Sequence, residues 1–257
     1  MYSMTHQIIS KKTFNFLIVI NRFYSKWVVL GILFLLPVIF LLFLYPSTNN
    51  YSTLDIVQES VSELDSLNFM DNNSTILENN ITILNFLGDD PENRLTSVLN
   101  LKELVYDKFK GFKKFQIVTI SSKNSEYELK KVKKKIIQSD ELKYWFFANT
   151  DLKNYRNIFK SLRSKNDLDS LNYTTQVFIV DKLKNQRGRI DDRDDDQIEN
   201  DSKIIGLYSY NSILVSEIKK KMNDDIRILF TEYRQKRKGN FNSNIRRLDN
   251  LDSNEKK

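Results

Sequence analysis

The chain has 257 residues, no cysteine and a single histidine, His6. Disulfides, thiol redox chemistry, thiolate metal sites and any Ser-His triad beyond the first residues are thereby excluded. Its formal charge of +7 sits at the ends: residues 1–45 carry +4, residues 234–257 carry +5, and the stretch between is −2, which leaves no broad phosphate-binding face for nucleic acid.

The run from Trp27 to Tyr45 is uncharged and apolar, close to the ~20 residues that a bilayer span requires. Lys11, Lys12, Arg22 and Lys26 precede it and no basic residue follows until Arg94, which predicts a cytoplasmic N-terminus and an extracytoplasmic remainder. The exit Leu44-Tyr45-Pro46-Ser47-Thr48 lacks the small residues of a cleavage site and reads as an uncleaved anchor. The expected division is a cytoplasmic N-terminus (1–26), a transmembrane helix (27–45), a tether (46–63), an extracytoplasmic domain (64–235) and a basic disordered tail (236–257). That is a single-pass protein of the inner (cytoplasmic) membrane with its C-terminal domain periplasmic or otherwise extracytoplasmic. The tail reads as a solvated end, with contact to anionic headgroups as the alternative.

Beyond the tether, residues 67–70 and 75–77 read as a small hairpin around a turn at 71–74. Residues 81–87 form the first strong strand, broken at Gly88-Asp89-Asp90-Pro91. Asp89 or Asp90 is a candidate cap for a helix that turns Leu95, Val98, Leu99, Val105 and Phe109 inward. Strands follow at 115–120, 143–148 and 175–180. Between them lie a basic helix over 125–139, with Tyr127, Leu129, Val132 and Ile136 inward, and a helix capped by Asp151. A return strand at 186–190, an acidic loop at 191–201 and an apolar run at 204–210 lead to a last helix from Ser212. Its inward residues are Leu214, Ile218, Met222, Ile226, Leu229 and Tyr233. This order predicts a mixed α/β sheet covered by helices on both faces, with Phe86, Val118, Phe178 and Ile218 in one core.

That order, together with three local phrases, resembles the thioredoxin-like fold of membrane-anchored SCO/SenC proteins. Ile83-Leu-Asn-Phe-Leu-Gly88 resembles the strand before that family's Cys-Pro-x-x-Cys-Pro motif. Val177-Phe-Ile-Val-Asp181 with Arg187-Gly188-Arg189 resembles its aliphatic strand, turn and Arg-Gly return, and the helix from Ser212 stands where the family's closing helix does. If Pro91 aligns with the first motif proline, the two cysteines fall at Asp90 and Arg94, and the histidine ligand near Tyr173 or Thr174. The resemblance therefore implies a Cys-less, His-less degenerate member of Bacteroidetes type, with no catalytic residue, cofactor or metal carried over. It also implies a place beside cytochrome oxidase or respiratory-complex assembly.

Asp89, Asp90, Glu92 and Arg94, with Tyr173 and Thr174 from the facing loop, are the candidate partner-docking residues, because open α/β sheets bind at such strand ends. The acids could equally complement the helix that follows. The acidic run Asp191–Asp196 has carboxylates enough for calcium but no EF-hand spacing, and reads as a solvated loop. Arg187 and Arg189 could grip an anion, or deter aggregation on an exposed edge strand. Tyr144, Trp145, Phe146 and Phe147 read as core and sheet-face residues. The expected function is non-catalytic protein contact, with a structural subunit of an envelope or respiratory complex as the alternative.

Overall fold

The computed structural model describes residues 26–43, 53–70, 74–137 and 142–239. They fall into two compact units, 1–51 and 52–257. In the first, α1 (Lys26–Phe43) is, among the described residues, the one helix long and apolar enough to cross a membrane. At 1.5 Å per residue its 18 residues span about 27 Å, close to the thickness of a bilayer's hydrocarbon core. Tyr45, the segment 1–25, the first part of the tether, the turn 71–73 and the tail from 240 lie outside the described residues.

The second unit is built on a mixed sheet. Strands β3 (Ile81–Gly88), β4 (Phe115–Ser122) and β5 (Trp145–Thr150) run parallel. Antiparallel to them are β6 (Gln176–Val180) on β3, β7 (Gln186–Gly188) on β6, β1 (Asp55–Gln58) on β7 and β2 (Asn68–Phe69) on β5. The order is β1-β7-β6-β3-β4-β5-β2, with β8 (Tyr210–Asn211) also paired to β6. Every residue of β3 and β4 is buried, because both faces of the sheet are covered; continuous apolar runs serve such strands where alternation would not.

Alternation along each strand still divides the core in two. Ile83, Ile117, Phe147, Val177 and Ile179 pack beneath α2 (Leu95–Leu101), α4 (Glu126–Ile137) and the last helix. Leu84, Phe86, Val118, Ile120 and Phe178 face α5 (Leu152–Lys160) and the segment carrying Val61, Leu64 and Leu77. Phe86, Val118 and Phe178 thus share a core as expected, but Ile218 lies on the opposite face of the sheet.

Several expectations are corrected. The tether does not extend to residue 63, since β1 completes one edge of the sheet. Residues 75–77 form no hairpin with 67–70; β2 instead pairs with β5, Phe69 opposite Ala148. Tyr127 is 72% exposed rather than inward. Asp151 does cap α5, accepting a hydrogen bond from the Asn154 amide at 2.8 Å. Both long helical segments are interrupted by π turns, Lys102–Tyr106 before α3 (Asp107–Phe109), and Ile218–Met222 between α7 (Val215–Glu217) and α8 (Asn223–Arg237). A π turn carries an extra residue and shifts the phase of the buried stripe. Leu101 and Tyr106 are buried while Leu99 is exposed, and Leu214, an extended residue just before α7, is exposed too.

The return strand β7 is no edge. Arg187 is buried and donates to Asp181 at 3.0 Å, to Glu232 on α8 and to the Leu54 carbonyl at 2.8 Å. Arg189 pairs with Asp225 and Asp192, and Lys221 also takes Asp192. The acidic run contains α6 (Asp195–Glu199), started by a capping box between Asp194 and Gln197. Its first carboxylates are occupied: Arg193 holds Asp191, and Arg189 and Lys221 hold Asp192. Among the described residues, no group of three or more such side chains is placed to hold a metal ion.

Candidate functional site

The junction between β3 and the turn that follows is set by one glycine. Gly88 has φ +67°, and a Cβ there would stand 2.2 Å from the Leu171 carbonyl oxygen, so no larger residue lets the two segments approach this closely. The Gly88 N–H donates to the Tyr155 hydroxyl at 2.9 Å, and that hydroxyl donates to the Asn172 carbonyl at 2.8 Å. Ser125 Oγ donates to the Gly88 carbonyl at 3.1 Å, and the Asp89 amide to the Leu171 carbonyl at 2.8 Å. A buried phenol on α5 thus pins the end of β3 to the loop before β6.

Asn172 is the second half of that clamp. It adopts φ +56°, a region that asparagine tolerates better than most residues. Its Nδ2 donates to Asp89 Oδ2 at 2.7 Å, and its Oδ1 accepts from Arg156 Nε and Nη2 at 3.2 and 2.9 Å. Asp169 folds the loop by accepting from the Leu171 and Tyr173 amides, each at 2.8 Å.

The candidate docking residues divide on this frame. Asp89 and Asp90 are half-buried; Asp90 accepts from the Asn93 side chain at 2.7 Å and, weakly, from its amide at 3.4 Å. Glu92 starts a 3-10 turn (Glu92–Arg94) and accepts from Lys131 and Lys135 of α4 at 3.1 and 3.0 Å. Those hydrogen bonds, from Lys135 first, hold its carboxyl below the usual range. Arg94 lies over the Tyr173 ring, 4.2 Å from its centroid, with Nη2 3.6 Å from Asp169 and a buried Nε that makes no hydrogen bond. Tyr173 and Thr174 are buried, so they shape this face from beneath and present little surface to a partner. Burial pushes the Tyr173 phenol up, against the pull of Arg94. The structure therefore brings five of the six candidates to one place, with Thr174 turned to the Gln176 amide.

Sequence reasoning missed Tyr155, Asn172, Asp169 and Arg156. Tyr155 was legible as a core residue of an amphipathic helix, but nothing local shows that its hydroxyl bridges Gly88 and Asn172. Tyr155→Phe should leave both backbone groups buried and unpaired and cost about 1–3 kcal/mol. Burial raises the Tyr155 and Tyr210 phenols well above their ordinary value. A raised folded-state pKa stabilises below the unfolded value of ~10, and that contribution is lost as pH rises past it. Urea titrations at pH 8 and pH 11 should accordingly show wild type losing more stability than Tyr155→Phe; equal losses would place the alkaline sensitivity elsewhere.

Solved structures of similar form can now be set beside this geometry. The neighbours are Sco proteins and thioredoxin-like oxidoreductases. BsSco, a member of the Sco family of cytochrome c oxidase assembly proteins, is 13% identical over 68% of this chain and 96% of its own, with a TM-score of 0.42. Bradyrhizobium japonicum ScoI with copper bound is 14% identical, over 67% and 99%, with a TM-score of 0.40. The thioredoxin domain of a thiol-disulfide oxidoreductase from Bacteroides vulgatus is 16% identical, over 57% and 96%, with a TM-score of 0.35. No family model and no curated protein matches the chain. At these identities the Sco likeness concerns the fold alone.

Copper does not fit this junction. Beside Pro91 stand Asp90, bound by Asn93, and Arg94, a cation that repels a metal ion. Tyr173 is a buried phenol whose proton burial retains, and the Thr174 hydroxyl accepts from the Gln176 amide. Copper favours thiolate, thioether and imidazole donors, and neither thiolate nor imidazole is available in this domain.

Proposed function

We propose that this is a non-catalytic, membrane-anchored, thioredoxin-like protein that works by protein contact in the assembly of a respiratory complex. The observation that carries the reading is the junction itself. Gly88, Tyr155 and Asn172 hold the end of β3 and the facing loop in fixed register, while the groups beside them are a carboxylate and a guanidinium. Rigid loops at the C-terminal ends of strands are where such folds bind, whether or not they do chemistry. The docking face is Asp89, Asp90, Glu92 and Arg94, with Tyr173 and Thr174 as its floor. Anchor α1 keeps the domain at the extracytoplasmic side of the inner membrane.

A photo-cross-linking amino acid at the exposed Asn93 should capture an oxidase-assembly component in cells. Reversing charge at Asp90 and Glu92 should reduce capture at least ~10-fold while changing Tm little, since solvent-screened charges guide association more than they stabilise. The second reading, a structural subunit held by its anchor, is supported by α1, an apolar helix long enough to pack among other membrane-spanning helices. Capture that survives the charge reversal but vanishes when α1 is exchanged for an unrelated apolar helix would establish that reading instead.

A further inference from the structure

Helix α4 carries five lysines in six positions, Lys130, Lys131, Lys133, Lys134 and Lys135, against Glu126 and Glu128. Leu129, Val132 and Ile136 anchor it on the sheet. The opposite stripe, at spacings of three and four residues, is Tyr127, Lys130, Lys134 and Ile137. Tyr127 is 72% and Ile137 42% exposed, so the lysines stand between an uncovered aromatic ring and an uncovered aliphatic chain. Lys131 sits 4.7 Å from the Tyr127 ring centroid. The ion pairs Lys130–Glu126, Lys131–Glu92 and Lys135–Glu92 are solvent-exposed and weak, and Lys134 has no ion pair among the described residues. Beside the stripe, between α4 and the edge strand β2, lies a groove of ≈ 560 Å³ lined by the apolar Phe69, Met70 and Ile137 and by three lysines, Lys130, Lys133 and Lys134, against one carboxylate, Glu126.

We propose that α4 and this groove are a contact face for anionic lipid, the lysines meeting headgroup phosphates while Tyr127, Ile137 and the groove take the acyl boundary. The proposal rests on the membrane-anchored reading above. Ammonium groups around apolar side chains match a bilayer interface, where basic and aromatic residues gather. Protein interfaces, in contrast, are depleted of lysine. The stretch joining α1 to the domain, residues 44–52, reaches about 30 Å at full extension, so the domain stays where a weak lipid contact is populated.

The full chain is placed in nanodiscs of phosphatidylcholine alone, or with about 30% phosphatidylglycerol, and its lysines are acylated in a timed footprint. Lys130 and Lys134 should react at least ~5-fold more slowly in the anionic discs at low salt, recover in ~0.5 M salt, and leave the exposed Lys219 unchanged. In Lys130→Glu/Lys134→Glu, the protection of Lys131 should be lost. Equal rates in the two discs overturn the proposal, as does protection that falls equally on Lys219 or appears only when an acidic protein is added. A chain that enters neither disc removes the anchor, and the lipid face with it; a chain that enters both but labels equally leaves the anchor standing and removes only the lipid face.

Discussion

Phe86→Ala should destabilise the domain by about 3–5 kcal/mol, among the largest losses open to a single substitution here. Phe86 is fully buried in the C-terminal half of β3 and meets three rings edge-on: Tyr155 and Phe159 at 5.5 Å and Phe178 at 6.0 Å between centroids. Truncation leaves a cavity between β3, which cannot close in without breaking ladder hydrogen bonds, and α5, which Tyr155 ties to Gly88 and Asn172. Edge-to-face contacts add to the area term, by about 0.5–1.5 kcal/mol per pair. Because Tyr155 also holds Gly88 and Asn172, the same substitution should loosen the junction. Urea denaturation of residues 52–257 with hydrogen exchange at the Gly88 amide checks both effects. A loss under about 1 kcal/mol would contradict the packing described for this face.

Arg187→Met should cost a comparable ~3–5 kcal/mol for a different reason. Burial opposes the guanidinium charge, but Glu232 and Asp181 outweigh it and hold its pKa above the ordinary arginine value. Their side chains are only 3% and 1% exposed, so removing the arginine leaves buried Glu232 with Lys236 as its cation and buried Asp181 with only the Leu183 and Asn185 amides. It also frees the carbonyl of Leu54, the residue just before β1, and so removes one tie between that edge and β7. If this is the cause, Arg187→Met/Glu232→Leu should be less damaging than the single change, since one of the two buried carboxylates that lost the arginine is gone. A double variant that loses the sum of the two single losses would show that the groups act independently.

The two substitutions probe features that differ in legibility. Phe86 belongs to an apolar run, residues 81–87, whose strand character and burial follow from composition over seven neighbouring positions. Arg187 sits in a charged segment that reads locally as a solvated edge; its burial depends on Glu232 from α8 and on β1 covering β7 from the other side. Among the candidate site residues, Asp90, Glu92 and Arg94 were legible because Gly88 and Pro91 mark the strand end. Asn172 was not, since its role comes from a backbone conformation and from Tyr155, Asp89 and Arg156 converging on it.

By itself the amino-acid order determined the apolar span, the parallel strands β3 to β5, the cap of α5 and the absence of thiol chemistry. Each of these is encoded by neighbouring residues, through continuous hydrophobicity, a single capping carboxylate or a missing residue type. Tertiary structure alone decided the sheet edges, the phase of the two π-interrupted helices, the exposure of Tyr127 and the clamp at Gly88. A two-residue strand such as β2 and a four-residue one such as β1 are too short to form alone; they exist because β5 and β7 offer unpaired backbone groups, in the case of β7 more than a hundred residues further along the chain.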